Sequence, residues 1–364
     1  GISADIERKI LFISTGNSAR FYDGVNRPGN NRFSNSVIAL DIKEKKILWD
    51  FQEVPHDIWN QDIASPPILT SIKLKDKKID VVTVPTKSGN VLVLDRLTGK
   101  SIFDYKNVKV PLSDTPGEKT SFYQKKFLLP KAISKQFFEL DDVSNILPGT
   151  KEYIQKKIKN AKFGYFLPNS TNFKNIIYKG GGQWMGASVD NLTATMFVNS
   201  SNIPSLAWIE KIKSINSYYR YNSKWEILRD QFGYPGSKPP WGSLVSINLN
   251  NGETNWKVPL GEYESLTNMG IPTTGTINFG GVTATAGGLV FATGTLDNKI
   301  RAFDRINGKE LWHYKMKYLG SSPPTVFEYN GEQYIVVVST GSSTINDQFP
   351  DQTELGNLVY VFKL

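Results

Sequence analysis

The 364-residue chain has no cysteine and only two histidines. Without thiols there can be no disulfide and no thiolate metal site. That absence leaves the cellular compartment open. No apolar run approaches the ~20 residues that a membrane-spanning helix needs. The first residues, Gly1 to Asp5, lack the basic start and apolar stretch of a secretory signal. A mature exported protein and a fragment would both look this way. Acidic residues are the scarcer charge, with 34 Asp+Glu against 43 Lys+Arg and a net charge of +9. Compositional drift toward Lys, Asn and Ile accounts for the excess, and steering toward an acidic partner is the functional alternative. The basic residues are scattered and form no arm, which argues against a nucleic-acid partner. What remains is a globular composition, 39% hydrophobic and 12% aromatic, in a chain long enough for one large domain or two ordinary ones.

One pattern recurs along the chain. An apolar strand ends in Asp or Asn, a turn follows, and a second strand ends in an aromatic residue. It appears as "NSVIALDIKEKKILWDF" (35–51), "GNVLVLDRLTGKSIFDY" (89–105), "GSLVSINLNNGETNWKV" (242–258) and "NKIRAFDRINGKELWHY" (298–314). The turns "LTGK", "NNGE" and "INGK" put Gly where a tight hairpin needs positive φ. Recurring hairpins of this kind are the signature of an all-β, radially repeated β-propeller, and a β-sandwich is the alternative. Trp49, Trp256 and Trp312 are expected to pack between units. "EQYIVVVST" (332–340) and "GNLVYVFKL" (356–364) supply the last unit. The whole chain, 1–364, reads as one partial propeller domain with insertions at about 107–180 and 205–240. Weak helical patterns lie around 131–141 and 150–161, and the insertions are expected to cover one end of the ring.

"PHDIWNQDIASPP" (55–67) is the densest polar stretch, with His56, Asp57, Asn60 and Asp62 around Trp59. A hydrogen-bonded structural His–Asp pair and a functional site are both open readings of it. Turn capping by Asp62 and a surface role for Lys87 are the plain readings of those residues.

Four local motifs, in order, carry a resemblance that runs almost end to end. They are "LFISTGNSA", "NRFSNSVIALDIKEKKILWDFQEVPHDIWNQD", "VPTKSGNVLVLDRLTGK" and "GTINFGGVTATAGGLVFATGTLDNKIRAFDRINGKELW". Together the chain resembles the C-terminal part of the pyrroloquinoline quinone (PQQ) dependent dehydrogenases, with the membrane-type glucose dehydrogenase branch the nearest likeness. The resemblance implies an eight-bladed propeller of which about five blades are present, beginning mid-blade, in a chain that is a fragment or a naturally shorter ring. It implies PQQ with Ca²⁺ or a lanthanide as cofactors, and oxidation of a small alcohol or sugar. Electrons would pass to a quinone or cytochrome c, in the periplasm, with membrane association through an N-terminal part outside this sequence.

The resemblance also assigns residues. Asn17 matches a metal-ligating asparagine. Asn60 stands where the family has its catalytic carboxylate, and an amide cannot accept a proton as a carboxylate does. Asp62 matches an added metal ligand of the lanthanide-using relatives and is also the candidate base. Lys87 matches the basic residue beside the quinone oxygens, a catalytic and cofactor-binding role. His56 would orient a carboxylate or contact substrate. Gln183 and Trp184 match an Asn-Trp pair, and Asn278, Phe279 and Gly280 line the cofactor pocket. The family's stacking tryptophan, glutamate metal ligand and several PQQ-carboxylate binders lie upstream of Gly1, so weak or no PQQ binding is expected of this chain alone. The departure at Asn60 also leaves a second function open, a catalytically degenerate propeller that serves as a protein-binding scaffold.

Overall fold

The structure is a computed structural model that describes residues 1–213, 220–349 and 354–363. Blade 1 holds β1 (Ile2–Asp5), β2 (Ile10–Ser14), β3 (Ser36–Asp41) and β4 (Lys46–Gln52) in that order, all antiparallel. Blade 2 holds β5 (Ile68–Leu74), β6 (Lys77–Pro85) and β7 (Val91–Asp95), with a bridge from Leu94 to Ser101 at its outer edge. A hairpin of β8 (Tyr105–Lys109) and β9 (Tyr123–Phe127) follows, then α1 (Thr150–Lys157), β10 (Lys162–Phe163) and β11 (Asn175–Gly181). Blade 3 is β12 (Ser188–Asp190), the first half of the long β13 (Thr195–Lys211), β15 (Gly242–Asn248) and β16 (Glu253–Pro259). The second half of β13 leaves the blade and pairs with β11 on one side and β14 (Tyr221–Ile227) on the other. Blade 4 is β17 (Val282–Ala284), β18 (Leu289–Ala292), β19 (Lys299–Asp304) and β20 (Glu310–Lys315), after the short α2 (Glu264–Thr267). Blade 5 is β21 (Thr325–Tyr329), β22 (Glu332–Ser339) and β23 (Leu358–Lys363), with α3 (Ser343–Gln348) between its last two strands.

The inner strands read as continuous apolar runs because both of their faces are buried. In β7, Leu92 and Leu94 face blade 1 with Phe12, Val37 and Ala39, while Val91 and Val93 face blade 3 with Met196, Val198 and Val245. The same alternation sends Phe197 and Leu244 toward Val290 and Phe303 of blade 4, and Phe291 and Ile300 toward Ile335 and Val337 of blade 5. Each interface is therefore a separate small core built from period-2 strands.

The repeated turn locks neighbouring blades. Asp41, Asp95 and Asp304 each accept, on one carboxylate oxygen, the N–H groups two and three residues on, and Asn248 accepts that of Asn250. The fourth residue after each is Lys45, Gly99, Gly308 and Gly252, all with positive φ. A register shift leaves one extra residue before Trp49, Trp256 and Trp312, a β-bulge that re-aims the ring. Trp49 then donates to Arg96 O (3.2 Å) and Trp256 to Arg305 O (3.0 Å), each lying on the turn of the following blade. A Cβ on Gly99 or Gly308 would stand 2.6 Å from the Trp49 or Trp256 ring. Phe103 occupies the same seat against Gly252, and Trp312 meets Phe362 of blade 5 edge-on at 5.3 Å.

Three expectations change. The strand pair expected at residues 1–14 forms, but it is not the remnant of a partial blade; β1 and β2 complete a four-stranded first blade. Around 131–141 only a 3₁₀ turn forms, at Leu140–Asp142. Ile133 N–H donates to Gly89 O and Lys135 N–H to Asn202 Oδ1, so those amides serve neighbouring segments and not a helix. The insertions are also more ordered than loops, since β11 from the first and β13–β14 from the second share one sheet.

Gly331 has φ +76 and open space where a Cβ would stand, with nothing within 4 Å, whereas Gly308 has φ +71 and an indole in that space. Gly331→Ala should cost only left-handed strain, about 1–2 kcal/mol. Gly308→Ala should cost at least about 2 kcal/mol more in urea unfolding, because overpacking adds to the strain. Equal losses would mean that the tryptophan seat contributes nothing.

Candidate functional site

The site begins with the turn after β4. The buried Asp57 carboxylate accepts from Trp59 N–H (2.8 Å), Gln61 N–H (2.7 Å) and Asn35 Nδ2 (2.9 Å). These bonds fold residues 57–61 into a tight turn with Asn60 at φ +62, a conformation that asparagine tolerates well. Trp59 is pinned by its Nε1–H on Leu167 O (2.7 Å) and by an edge-on contact with Phe166.

Two residues on, Asp62 is buried and both its oxygens are engaged. Oδ1 accepts the Asn17 N–H at 2.8 Å, and Oδ2 pairs with Lys87 Nζ. Lys87 Nζ also donates to Asn60 Oδ1 at 3.1 Å, and the Lys87 N–H donates to Asp62 O at 3.2 Å. Asn17, Asn60, Asp62 and Lys87, spread over 70 positions of sequence, thus form one cluster. Glycine makes the approach possible. A Cβ on Gly16 would lie 2.6 Å from Asp62 Oδ1, and one on Gly181, which has φ +64, would lie 2.6 Å from Lys87 O. Gly182 N–H donates to Thr86 O at 2.8 Å, so the end of β11 lies directly on the backbone that carries Lys87.

Asn60 and Lys87 of this cluster line the floor of a cavity of about 260 Å³, and Asp62 and Asn17 join it only through their contacts with each other and with Lys87. Its lining comes from the connections of every blade: Trp59 and Asn60 from the first, Lys87 from the second, Ser201 from the third, Phe279 from the segment entering the fourth, and Thr344 from the fifth. Such convergence marks one end of the propeller axis. Gln183 and Trp184 also line it, although Gln183 Nε2 already donates to Gly180 O (2.9 Å) and Trp184 sits at the exposed rim.

Other expected residues are placed elsewhere. Asn278 is wholly buried behind the wall, where its Nδ2 donates to Ser200 O (2.9 Å) and ties blade 3 to the approach to blade 4. Gly280 serves a chain crossing, for its Cβ would collide with the backbone of Thr293 and Gly294, and its carbonyl accepts from Asn199 Nδ2. His56 is not at the cavity. Its Nδ1 meets Gly29 O (2.6 Å) and its Nε2 meets Glu118 Oε1 (2.7 Å) in a buried pair. The sequence could not show this, because the partner lies 62 residues away. Several wall residues were not anticipated, among them Lys179 of β11 and Trp225 of β14. A lysine closing the otherwise buried run "NIIY" was the one signal in the sequence for the first.

Comparison with known proteins decides the family. A sequence model described as PQQ, "Glucose/ethanol/alcohol dehydrogenase, beta-propeller domain", matches residues 1–335. The chain belongs to this family. Its quinoprotein relatives include the quinate/shikimate dehydrogenase (quinone) of Acinetobacter baylyi, 29% identical over all of this chain and 48% of that protein. The quinoprotein glucose dehydrogenase of Escherichia coli is 25% identical over 99% of this chain and 48% of its own. Among solved structures, the quinohemoprotein alcohol dehydrogenase of Comamonas testosteroni superposes with TM-score 0.66 at 20% identity, covering all of this chain and 48% of that one. The chain spans about half the length of the curated relatives it matches. The family's propeller fold is what the five blades display.

The residues present suit the quinone better than the metal. The cavity offers the Lys87 ammonium, amides and aromatic walls, which fit a planar, anionic cofactor. For a cation, the buried Asn17 amide has no partner on Nδ2, and the Asp62 carboxylate accepts the Asn17 N–H. A hard cation takes about six to eight oxygens. No group of three His, Asp or Glu side chains converges among the described residues.

The His56–Glu118 pair gives a pH test. Burial alone would raise the Glu118 pKa, but the hydrogen bonds from His56 and Gly24 N–H and the His56 charge outweigh it and leave the pKa lowered. A carboxylate whose folded-state pKa is depressed stabilises the fold above its unfolded pKa, and that contribution is lost as pH falls through the folded value. The thermal midpoint of the wild type should therefore drop more steeply than that of Glu118→Gln between about pH 5 and pH 3. Parallel curves would show that the pair is energetically silent.

Proposed function

We propose that the protein acts in the PQQ-dependent oxidation of an alcohol or sugar hydroxyl, on the glucose-dehydrogenase-like side of the family, in the periplasm, with electrons passing to a quinone or cytochrome. The observation that carries this reading is the bridge of Lys87 to both Asn60 and Asp62 at the floor of the axial cavity. When bound, the quinone supplies the carbonyl carbon that accepts hydride. Lys87 would hold its oxygens and stabilise the charge that develops there. Asn17 and Asp62 would contribute oxygens to Ca²⁺ or a lanthanide. Trp59 and Phe279 wall the cavity, and Trp184 stands at its rim.

Asp62 is the candidate for metal ligation or, in its place, for proton removal; it does not line the cavity itself, so as a base it would act through Lys87, which does. Asn60 cannot take that proton. Its amide oxygen instead accepts from Lys87 Nζ and helps to hold it.

A second reading, a propeller that binds without turning over, is favoured by one observation. Among the described residues that line the cavity, none is Asp or Glu. Restoring the carboxylate separates the two. Asn60→Asp should raise PQQ-dependent dye reduction on alcohols and aldoses by about 10²-fold or more in the full-length protein. No change in rate would favour the binding role.

Residues 1–364 alone should hold PQQ no more tightly than about micromolar in calorimetry with Ca²⁺ or La³⁺, since two side chains cannot complete a cation shell. Lys87→Ala should weaken that binding further. Submicromolar affinity in this chain would show that the shell is filled by groups other than those identified.

A further inference from the structure

The cavity holds a second lysine that neither the repeat nor the family motifs account for. Lys179 lies in β11, opposite Ile203 of β13, on the sheet that the two insertions build together. Its ammonium stands 2.8 Å above the centre of the Trp225 ring, and Tyr22 lies 6.0 Å away. Among the described residues no carboxylate, carbonyl or hydroxyl bonds to it. Burial, followed by repulsion from Lys87, lowers its pKa well below that of an ordinary lysine, so an anion bound beside it would also hold the proton on its nitrogen.

The charge balance of the cavity follows. Lys87 is neutralised by Asp62. Lys179 has no counter-ion, and no acidic side chain lines the cavity among the described residues. A desolvated cation is costly until it is paired. Its indole partner offsets part of that cost, because cation–π attraction strengthens when water is excluded. The complement of this wall is therefore a single negative charge carried on a small, partly apolar molecule. One lone ammonium suits the one charge of a carboxylate, whereas a phosphate dianion would call for more donors.

We propose that Lys179 is a carboxylate receptor, and that it selects substrates bearing a carboxylate beside the hydroxyl to be oxidised. This rests on the reading of the cavity as a dehydrogenase substrate site. A carboxylate could also come from the quinone, and position argues for the substrate. Lys87 sits on the floor with Asn60 and pairs with Asp62, whereas Lys179 belongs to the inserted sheet, with Trp225 of the same sheet beneath its ammonium.

The test uses the full-length protein and calorimetry without added quinone. Small hydroxy acids (glycerate, gluconate, mandelate) are each paired with their primary amide. In the wild type at least one acid should bind tenfold or more tighter than its amide. Lys179→Met, which keeps the stem over Trp225, should bring that ratio to within twofold, and Lys179→Arg should retain it. Thermal melts of both variants verify folding. If no acid outbinds its amide, or if the preference survives in Lys179→Met, the proposal is wrong. PQQ titration of the same proteins separates the two sources of carboxylate. PQQ affinity should be unchanged in Lys179→Met, and a tenfold loss would assign the receptor to the cofactor and overturn the substrate role. A wild type that binds no PQQ but keeps the acid preference would count against the dehydrogenase reading alone.

Discussion

An indole seated on a turn that has no side chain is the contact on which the rest of the molecule depends. Trp49 rests on Gly99 and Trp256 on Gly308, while Phe103 fills the same seat at Gly252. Each contact fixes how far one blade rotates against the next. The constant spacing within the repeat follows from that geometry: Asp or Asn folds the turn, glycine four residues later leaves the gap, and the bulge before the tryptophan turns the ring into it. Arginine adds a second tie. Arg96 reaches back to Asp5 of blade 1 (3.1 Å), and Arg305 reaches back to Asp190 of blade 3 (2.8 Å), from equivalent places in the two repeats. With the rotation set on the outside, the inner strands meet face to face, and their loops are delivered to a common axis.

At that axis the same device serves a different purpose. Gly16, Gly181 and Gly280 are not there to make turns flexible. They let one backbone, or one carboxylate, lie where a Cβ would otherwise stand. Gly16 admits Asp62, and Gly181 admits the carbonyls of Thr86 and Lys87. The cluster is therefore held by close main-chain contact between elements far apart in sequence, and its position is as rigid as the blades that carry it. This is the arrangement that a preorganised electrostatic site requires.

The repeat was legible in the sequence because it combines period-2 apolar strands with a fixed Asp-to-Gly interval, and both signals are local. The convergence of Asn17, Asp62 and Lys87 was legible only through the resemblance, and the fold brings the three together. What failed to read was non-local. The pattern over 131–141 resembled a helix, but Ile133 enters the core between blades 2 and 3 while Phe138 enters the cluster of the insertion. Their segment's amides bond neighbouring segments and do not close helical turns. Strand β13 was hidden for a similar reason. Its "NSSNIP" centre is polar, yet every residue there is buried, because the strand runs on from the blade into the inserted part of the sheet and its polar side chains bond the 278–280 segment. His56 misled through proximity to Asp57, when its partner was Glu118.

The amide at position 60 acquires a physical meaning from the charges around it. Were a carboxylate to stand there as well, Lys87 would face two anions, and the buried Asp62 would share its only counter-ion. With asparagine, Lys87 and Asp62 make a balanced pair, and the amide oxygen still orients the ammonium at 3.1 Å. The Lys87–Asp62 pair is thereby balanced without any ligand, while the wall carries Lys179 with no counter-ion among the described residues. An amide at position 60 thus leaves no surplus carboxylate at the base, and, among the described residues that line the cavity, the one amine without an acidic partner stands at the side. A cofactor's oxygens would meet the first surface and a substrate's ionised group the second, so the departure at Asn60 and the extra lysine at 179 can be understood as two halves of one redistribution of charge.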